Sequence, residues 1–365
     1  MKLTLKRENF SRGLLVVGKL VKQRATLPVL SNIMLMTDKG RLKLVATDLE
    51  STVVTWVGAK TDEGGAVTVP AKTIIDYITS TTDETVELYS EGSDISIKGA
   101  HHHANIKGIA VEEFPIIPDV KGGLSLKAKS PDLKNAIFTT AVAAAFDETR
   151  PVLAGVLFRL DSQKLTLAAT DSYRLAETKI DIKSKDKSGE FIIPQRTALE
   201  VARLLPADDS KVEIFSGENQ SLFKFDDIEL TSRQIEGAFP DYEQIIPKEF
   251  VFESEMDKNE LLEAIRTANV FARESGSNVK LSVSDGAISV SAIAAQVGKS
   301  QTKVSATTSG TPLSIAFNAR FILDALNAIY GERVRFNFAG ELNPGLILPY
   351  DSDNFKYVVM PLRND

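Results

Sequence analysis

Apolar residues recur along this chain in two alternating rhythms. Phe10, Leu14, Val17 and Val21 are spaced as one face of an α-helix, and the spacing returns at Leu133, Ile137, Ala141 and Ala144 and again at Leu261, Leu262, Ile265 and Ala268. Leu14 and Ile137 lie 123 positions apart. A period-2 stretch follows each helix, as Leu42-Leu44-Ala46, Leu165-Leu167-Ala169 and Ile288-Val290-Ala292, each displaced by 123 from the last, which predicts three strands with one buried face. A strand running into a second amphipathic helix comes next: VTVPAKTIIDYI from Val67, FIIPQRTALEVARLL from Phe191 and LSIAFNARFILDALNAI from Leu313. Pro70, Pro194 and Phe317 hold the equivalent place. Paired strands then read VELYS/DISIKG, VEIFS/SLFKFDD and VRFNF/GLILPY, with Gly, Ser, Asp or Asn at the turns. Each copy closes on an apolar residue before proline: Phe114-Pro115, Phe239-Pro240 and Met360-Pro361.

The order of signals therefore repeats three times, and the fold class is α+β: three tandem copies of one domain, each with two helices packed on antiparallel sheets. The expected domains are residues 1–122, 123–247 and 248–365, about 120 residues each, a usual domain size. A tandem of equal domains turns by a constant step. Edge strands left unpaired at its two ends then suit pairing with a second copy, which removes exposed sheet edges and closes a ring.

Composition narrows the chemistry. With no cysteine among 365 residues there is no disulfide, thiolate nucleophile or Cys-ligated zinc. MKLTLKRENF lacks the apolar core of a signal peptide and no apolar run approaches the ~20 residues of a membrane span, so a cytoplasmic protein without a membrane partner is expected. The net charge of -6 argues against a surface that is basic all over, not against a basic lining. His101, His102 and His103 would alternate faces on a strand, which suits a solvated edge better than a metal site. Gly298-Lys299-Ser300 resembles the end of a phosphate loop, but Ile293 stands where the first glycine belongs. Asp48 and Asp171 recur at one repeat position, where a carboxylate serves to cap a strand-to-turn junction. No catalytic residue, metal ligand or cofactor is expected, and an enzyme is disfavoured.

QRATLPVLSN from Gln23, ATDSYRLAE from Ala169, EGAFPDYEQIIP from Glu236, FNARFILDALNAI from Phe317 and YVVMPLR from Tyr357 together resemble the bacterial DNA polymerase III beta subunit, the replicative sliding clamp, over the whole length. The resemblance implies a DNA-clamp domain in three copies and a homodimeric six-domain ring around double-stranded DNA, bound without regard to sequence. It implies no catalysis and no cofactor, a separate ATP-driven clamp loader, and tethering of polymerases and loader subunits through short hydrophobic peptides, often with a Gln and a Leu-Phe pair. The pocket for such peptides, between the second and third domains, maps onto Leu153, Thr170, Ser172, Tyr173, Arg174 and Leu175. It continues over Pro240, Gln244, Ile245, Asn318 and Phe321, and then Val358, Val359, Met360, Pro361 and Leu362. Tyr173 stands where the family often has His, and Gln244 where its best-known members have Arg.

For DNA, residues 9–37 carry Arg12, Lys19, Lys22 and Arg24 and no acid. By the resemblance Arg24 and Arg150 lie on inner loops and Arg196 and Arg203 on an inward helix, where they suit sequence-independent phosphate contacts. Pro151 and Val152 replace the family's aromatic pair for single strands. The ring joint would set Tyr77 and Ala104 of one copy against Val270 and Phe271 of the other, with His101 to His103 facing Lys299 and Lys303. That juxtaposition predicts a joint that weakens below pH ~6.5, where unperturbed histidines gain charge. The alternative is a clamp-like partner-binding protein that forms no stable closed ring.

Overall fold

The computed structural model describes all residues except 22–26, 118, 121, 148, 295, 297 and 363–365. Six α-helices are set among 26 strands of these residues: α1 (Arg7–Gly18), α2 (Ala71–Ser80), α3 (Ser130–Ala141), α4 (Gln195–Leu204), α5 (Lys258–Ala272) and α6 (Ala319–Ala328). None is long and apolar enough to cross a membrane.

Two compact units divide the chain. The first is Met1–Pro131 with Lys183–Asp186 and Glu200–Gln234; the second is Asp132–Ile182 with Lys187–Leu199 and Ile235–Asp365. These follow the sheets rather than the repeat. In the first unit a nine-stranded sheet is continuous because Ser51–Gly58 pairs with Ile228–Arg233, and a five-stranded sheet ends on His103–Ile106. In the second unit a twelve-stranded sheet is continuous because Arg174–Asp181 pairs with Phe355–Val359.

The helix rhythm works as period 3.6 requires: Phe10, Leu14 and Val17 are fully buried on α1, and Leu261, Ile265 and Ala268 on α5. Val21 and Ala144 fall beyond the helix ends, Ala144 still buried. α1 packs on α2, and α5 on α6.

Pairing corrects one repeat position. Asn32 faces Pro70, Gly155 faces Pro194 and Asn278 faces Asn318, so the equivalent of the two prolines is Asn318, not Phe317. A one-residue slip reverses every side chain's face. Phe317 is buried against Phe336 and Phe338, at centroid distances of 5.7 and 6.3 Å, while Asn318 caps α6 by accepting the Arg320 N–H at 2.9 Å.

The closing segments repeat too, although not at their prolines. The carbonyls of Thr68, Ile192 and Ala316, each two residues before the position just corrected, accept N–H groups from Ile109, Ile235 and Leu362 at 3.1, 2.8 and 2.8 Å. Each closing segment thereby covers the free edge of the strand that enters the second helix. Leu362, rather than Met360-Pro361, is the counterpart of Ile109 and Ile235. The C-terminal tail does for the third copy what the linkers do for the first two.

Candidate functional site

Asp48 and Asp171 shape the same turn in two copies. Asp48 accepts the N–H groups of Glu50 and Ser51 at 3.2 and 2.9 Å, and Asp171 those of Tyr173 and Arg174 at 2.9 and 3.0 Å. Thr47 and Thr170 donate their hydroxyls to the carbonyls of Ser51 and Arg174, and Leu49 and Ser172 take φ of 74° and 78°. One oxygen of each carboxylate is committed to backbone amides.

The second copy adds a cation where the first has Ser51. Arg174 is buried; its Nε donates to Asp171 at 2.9 Å, and its Nη1 to Asp324 and to the Tyr357 hydroxyl, while its guanidinium lies 4.5 Å over the Phe321 ring. Burial works against the charge, but Tyr357, Asp324 and Asp171 outweigh it and hold the pKa above the usual arginine range. Tyr357 is held un-ionised by its burial, against the opposing pull of Arg174. Arg174 thus ties together the turn, α6 and the last strand.

Around this pillar the expected peptide-site residues sort into layers. Tyr173 is 65% exposed and Ile245 43%, while Ser172, Pro240 and Gln244 are also exposed. Gln244 donates to Asp241 at 2.7 Å. Asn318, Phe321, Met360, Pro361 and Leu362 are half-buried, and Leu153, Thr170 and Val359 are buried. Leu175 and Val358 face each other across the ladder within a core cluster containing Tyr242, with Val152 and Phe239 packed on it. The tail joins both sides, since Met360 donates to the Tyr173 carbonyl at 2.9 Å two residues before Leu362 reaches Ala316.

Of the expected DNA contacts, Arg24 and Lys22 lie outside the described residues. Arg150, Arg196 and Arg203 are exposed; Arg150 donates to the Ser172 hydroxyl at 3.4 Å, and Arg203 is paired with Glu200 one turn back on α4. Arg196 and Arg203, seven residues apart, share one face of that helix.

At the expected ring edges Val270 is 59% exposed, and Phe271, Tyr77 and Ala104 are half-buried, with the Tyr77 hydroxyl buried. Only His103 of the three histidines enters the edge strand, its Nε2 3.0 Å from the Ser96 hydroxyl. His102 turns back instead, with Nδ1 2.8 Å from Oδ2 of buried Asp83, which also accepts the His101 N–H at 3.1 Å. His101 and His103 are exposed, as a solvated edge requires, and a carboxylate 18 and 19 residues upstream also holds the segment. Asp83 and Asp324 escaped sequence reasoning. Asp324 had a signal, because an acid recurs at the sixth position of each second helix as Asp76, Glu200 and Asp324.

Sheets that run on from one α+β repeat into the next, with a tail bonded to both Tyr173 and Ala316, define a tandem-repeat clamp subunit. The sequence matches the DNA polymerase III beta subunit family throughout: its N-terminal domain over residues 1–118, its central domain over 127–241 and its C-terminal domain over 243–363. A beta sliding clamp of Staphylococcus aureus is 30% identical over 374 aligned residues, covering 100% of this chain and 99% of that protein. Crystal structures of a Bacillus subtilis DNA polymerase sliding clamp and a Pseudomonas aeruginosa DNA polymerase III beta subunit superimpose with TM-scores of 0.95 and 0.94, at 26% and 30% identity and over 100% of both chains. The chain belongs to the DNA polymerase III beta subunit family. It is a sliding clamp, a processivity factor that acts on DNA without catalysis of its own.

Proposed function

We propose that two copies of this chain, each with domains at residues 1–122, 123–247 and 248–365, close a six-domain ring around duplex DNA in the cytoplasm. One observation carries this reading: the chain contains two finished joints and the two halves of a third. Leu44 faces Thr55, Leu167 faces Thr178 and Val290 faces Thr302, which puts three strands in one frame. In the finished joints Thr55 faces Ile228 and Thr178 faces Phe355; two residues back, Val53 faces Leu230 and Ala176 faces Tyr357. The third copy's strand, Gly298–Gly310, pairs over Gly298–Ser305 on one side only among the described residues, and His103–Ile106 is a sheet edge. Carrying the register over sets His102 of one copy against Thr302 of the other, Ala104 against Ser300 and Ile106 against Gly298.

That register suits the local shapes. Gly298 has φ of 128°, and a Cβ there would stand 3.9 Å from the Phe271 ring, so Phe271 lies beside the residue that meets Ile106. Val270, Phe271 and Ile106 then supply the joint's apolar contact, with Tyr77 and Ala104 beside them. Arg24, Arg150, Arg196 and Arg203 contact phosphates without reading bases, giving the weak, salt-sensitive hold that sliding needs. Short apolar peptides of polymerases and loader subunits seat on Tyr173, Pro240, Phe321 and the Met360–Leu362 tail, over the Leu175/Val358 floor; each buried apolar side chain contributes about 1.5–3 kcal/mol.

Light scattering over a dilution series tests the ring. A species of twice the 39.8 kDa chain mass that persists on dilution is expected. A monomer throughout would favour the alternative, a clamp-like partner-binding protein without a closed ring.

A further inference from the structure

The proposed joint between copies carries one feature that the two joints inside the chain lack. At the position of His102 the finished joints carry Ile228 and Phe355, and at the position of Asp83, counted from the corrected helix start, the other two copies carry Ala207 and Gly331. The Asp83–His102 pair is therefore absent from the joints inside the chain. Those joints are tethered covalently and need no choice of partner. The edge at residues 103–106 must remain exposed until a second copy arrives and must then present its backbone in the right register.

Packing around Asp83 fits that demand. Its carboxylate is almost wholly buried, yet accepts two hydrogen bonds from the segment that enters the edge strand, one from the His101 backbone and one from the His102 ring. Gly99 closes the loop, its N–H donating to the His102 carbonyl at 2.8 Å, and a Cβ on Gly99 would lie 2.0 Å from Asp83 Oδ2. The backbone of residue 83 is anchored in turn, because Arg7 Nε donates to the Asp83 carbonyl at 3.3 Å and the Arg7 N–H to the Glu84 carbonyl at 3.0 Å. The edge segment is thus locked by the Asp83 carboxylate, and the start of α1 is held by the backbone carbonyls of Asp83 and Glu84 in the loop after α2. The lock also draws the His102 ring off the edge, where Ile or Phe would leave an apolar side chain exposed before assembly, the usual invitation to wrong pairing.

We infer that Asp83 is a positioning residue of the ring joint: by holding His101 and His102 it preorganises the first-domain edge strand for pairing with residues 298–302 of a second copy. This inference rests on the ring proposed above. Without the lock, the few residues around His102 must be ordered on assembly, a conformational-entropy cost that the partner recovers only in part. The expected weakening is on the order of 10–100-fold in the subunit dissociation constant.

The test is a double-mutant cycle on the full chain, with dissociation constants from sedimentation and unfolding midpoints measured alongside. Asp83→Ala and His102→Ile are each expected to weaken the dimer by that factor, the double variant no further than either alone, and His102→Asn, whose amide can still donate to Asp83, to restore near-original affinity. His102 is partly exposed, so its variants fold even where Asp83→Ala does not. Dissociation constants for His102→Ile within two-fold of the unaltered chain, or no recovery with His102→Asn, would overturn the inference. A monomeric unaltered chain would instead overturn the ring itself.

Discussion

Replacing Phe271 by Asp is expected to turn the dimer into a monomer at micromolar concentration, with the dissociation constant raised at least 30-fold. The reason is local. Phe271 lies beside Gly298, opposite the position assigned to Ile106, so a carboxylate there would be carried into an apolar contact with no cation paired to it. Removing an aromatic anchor from the centre of an interface commonly costs about 2–4 kcal/mol, which is about 30-fold to 1000-fold in affinity. The matched control is Leu342→Asp, equally drastic in chemistry but at a side chain 77% exposed and outside the two paired edges. Light scattering should find the control dimeric. If both variants remain dimers, the joint does not involve α5.

Arg174→Met is expected to destabilise the second unit and, through that, to abolish peptide binding. The substitution leaves Asp171, Asp324 and the Tyr357 hydroxyl without their common donor. Breaking a buried ion pair costs about 3–5 kcal/mol, and the lower end applies because Asp324 is 44% exposed and screened by water. A lowered urea midpoint checks this. Tyr173→Ala separates support from contact: its side chain projects from the same turn into solvent, so the midpoint should stay put while the affinity for a short peptide bearing Gln and a Leu-Phe pair falls. Equal unfolding midpoints for Arg174→Met and the unaltered chain would contradict the role given to this cation.

The contrast between these residues shows what a single sequence carries. Apolar periodicity is a local signal, so α1, α5 and the alternating strands were legible, and the near-constant period exposed the tandem copies. Where a local signal was ambiguous by one residue, as between Phe317 and Asn318, only strand pairing resolved it, because a helix cap and a buried aromatic sit side by side there. The turns at Asp48 and Asp171 were legible for the same reason: their hydrogen bonds span two or three residues. Arg174 meets Asp324 and Tyr357 across separations of 150 and 183 residues, so neither partner nor its burial was legible from local pattern. At the proposed ring edge the three histidines were legible, but the partner of His102 lies 19 residues upstream, beyond any local pattern. That partner is the buried carboxylate of Asp83.

Because the chain has no cysteine, its ring register can be read directly by crosslinking. Residues directly opposite in an antiparallel pair have Cα atoms about 4.5–5.5 Å apart, within the span of a disulfide. Ala104→Cys combined with Ser300→Cys, under mild oxidation, is expected to give a covalent species of twice the chain mass on a denaturing gel, and neither single variant is. Failure of that pair to crosslink, or equally efficient crosslinking when Gln301→Cys replaces Ser300→Cys, would contradict a ring closed by these two strands.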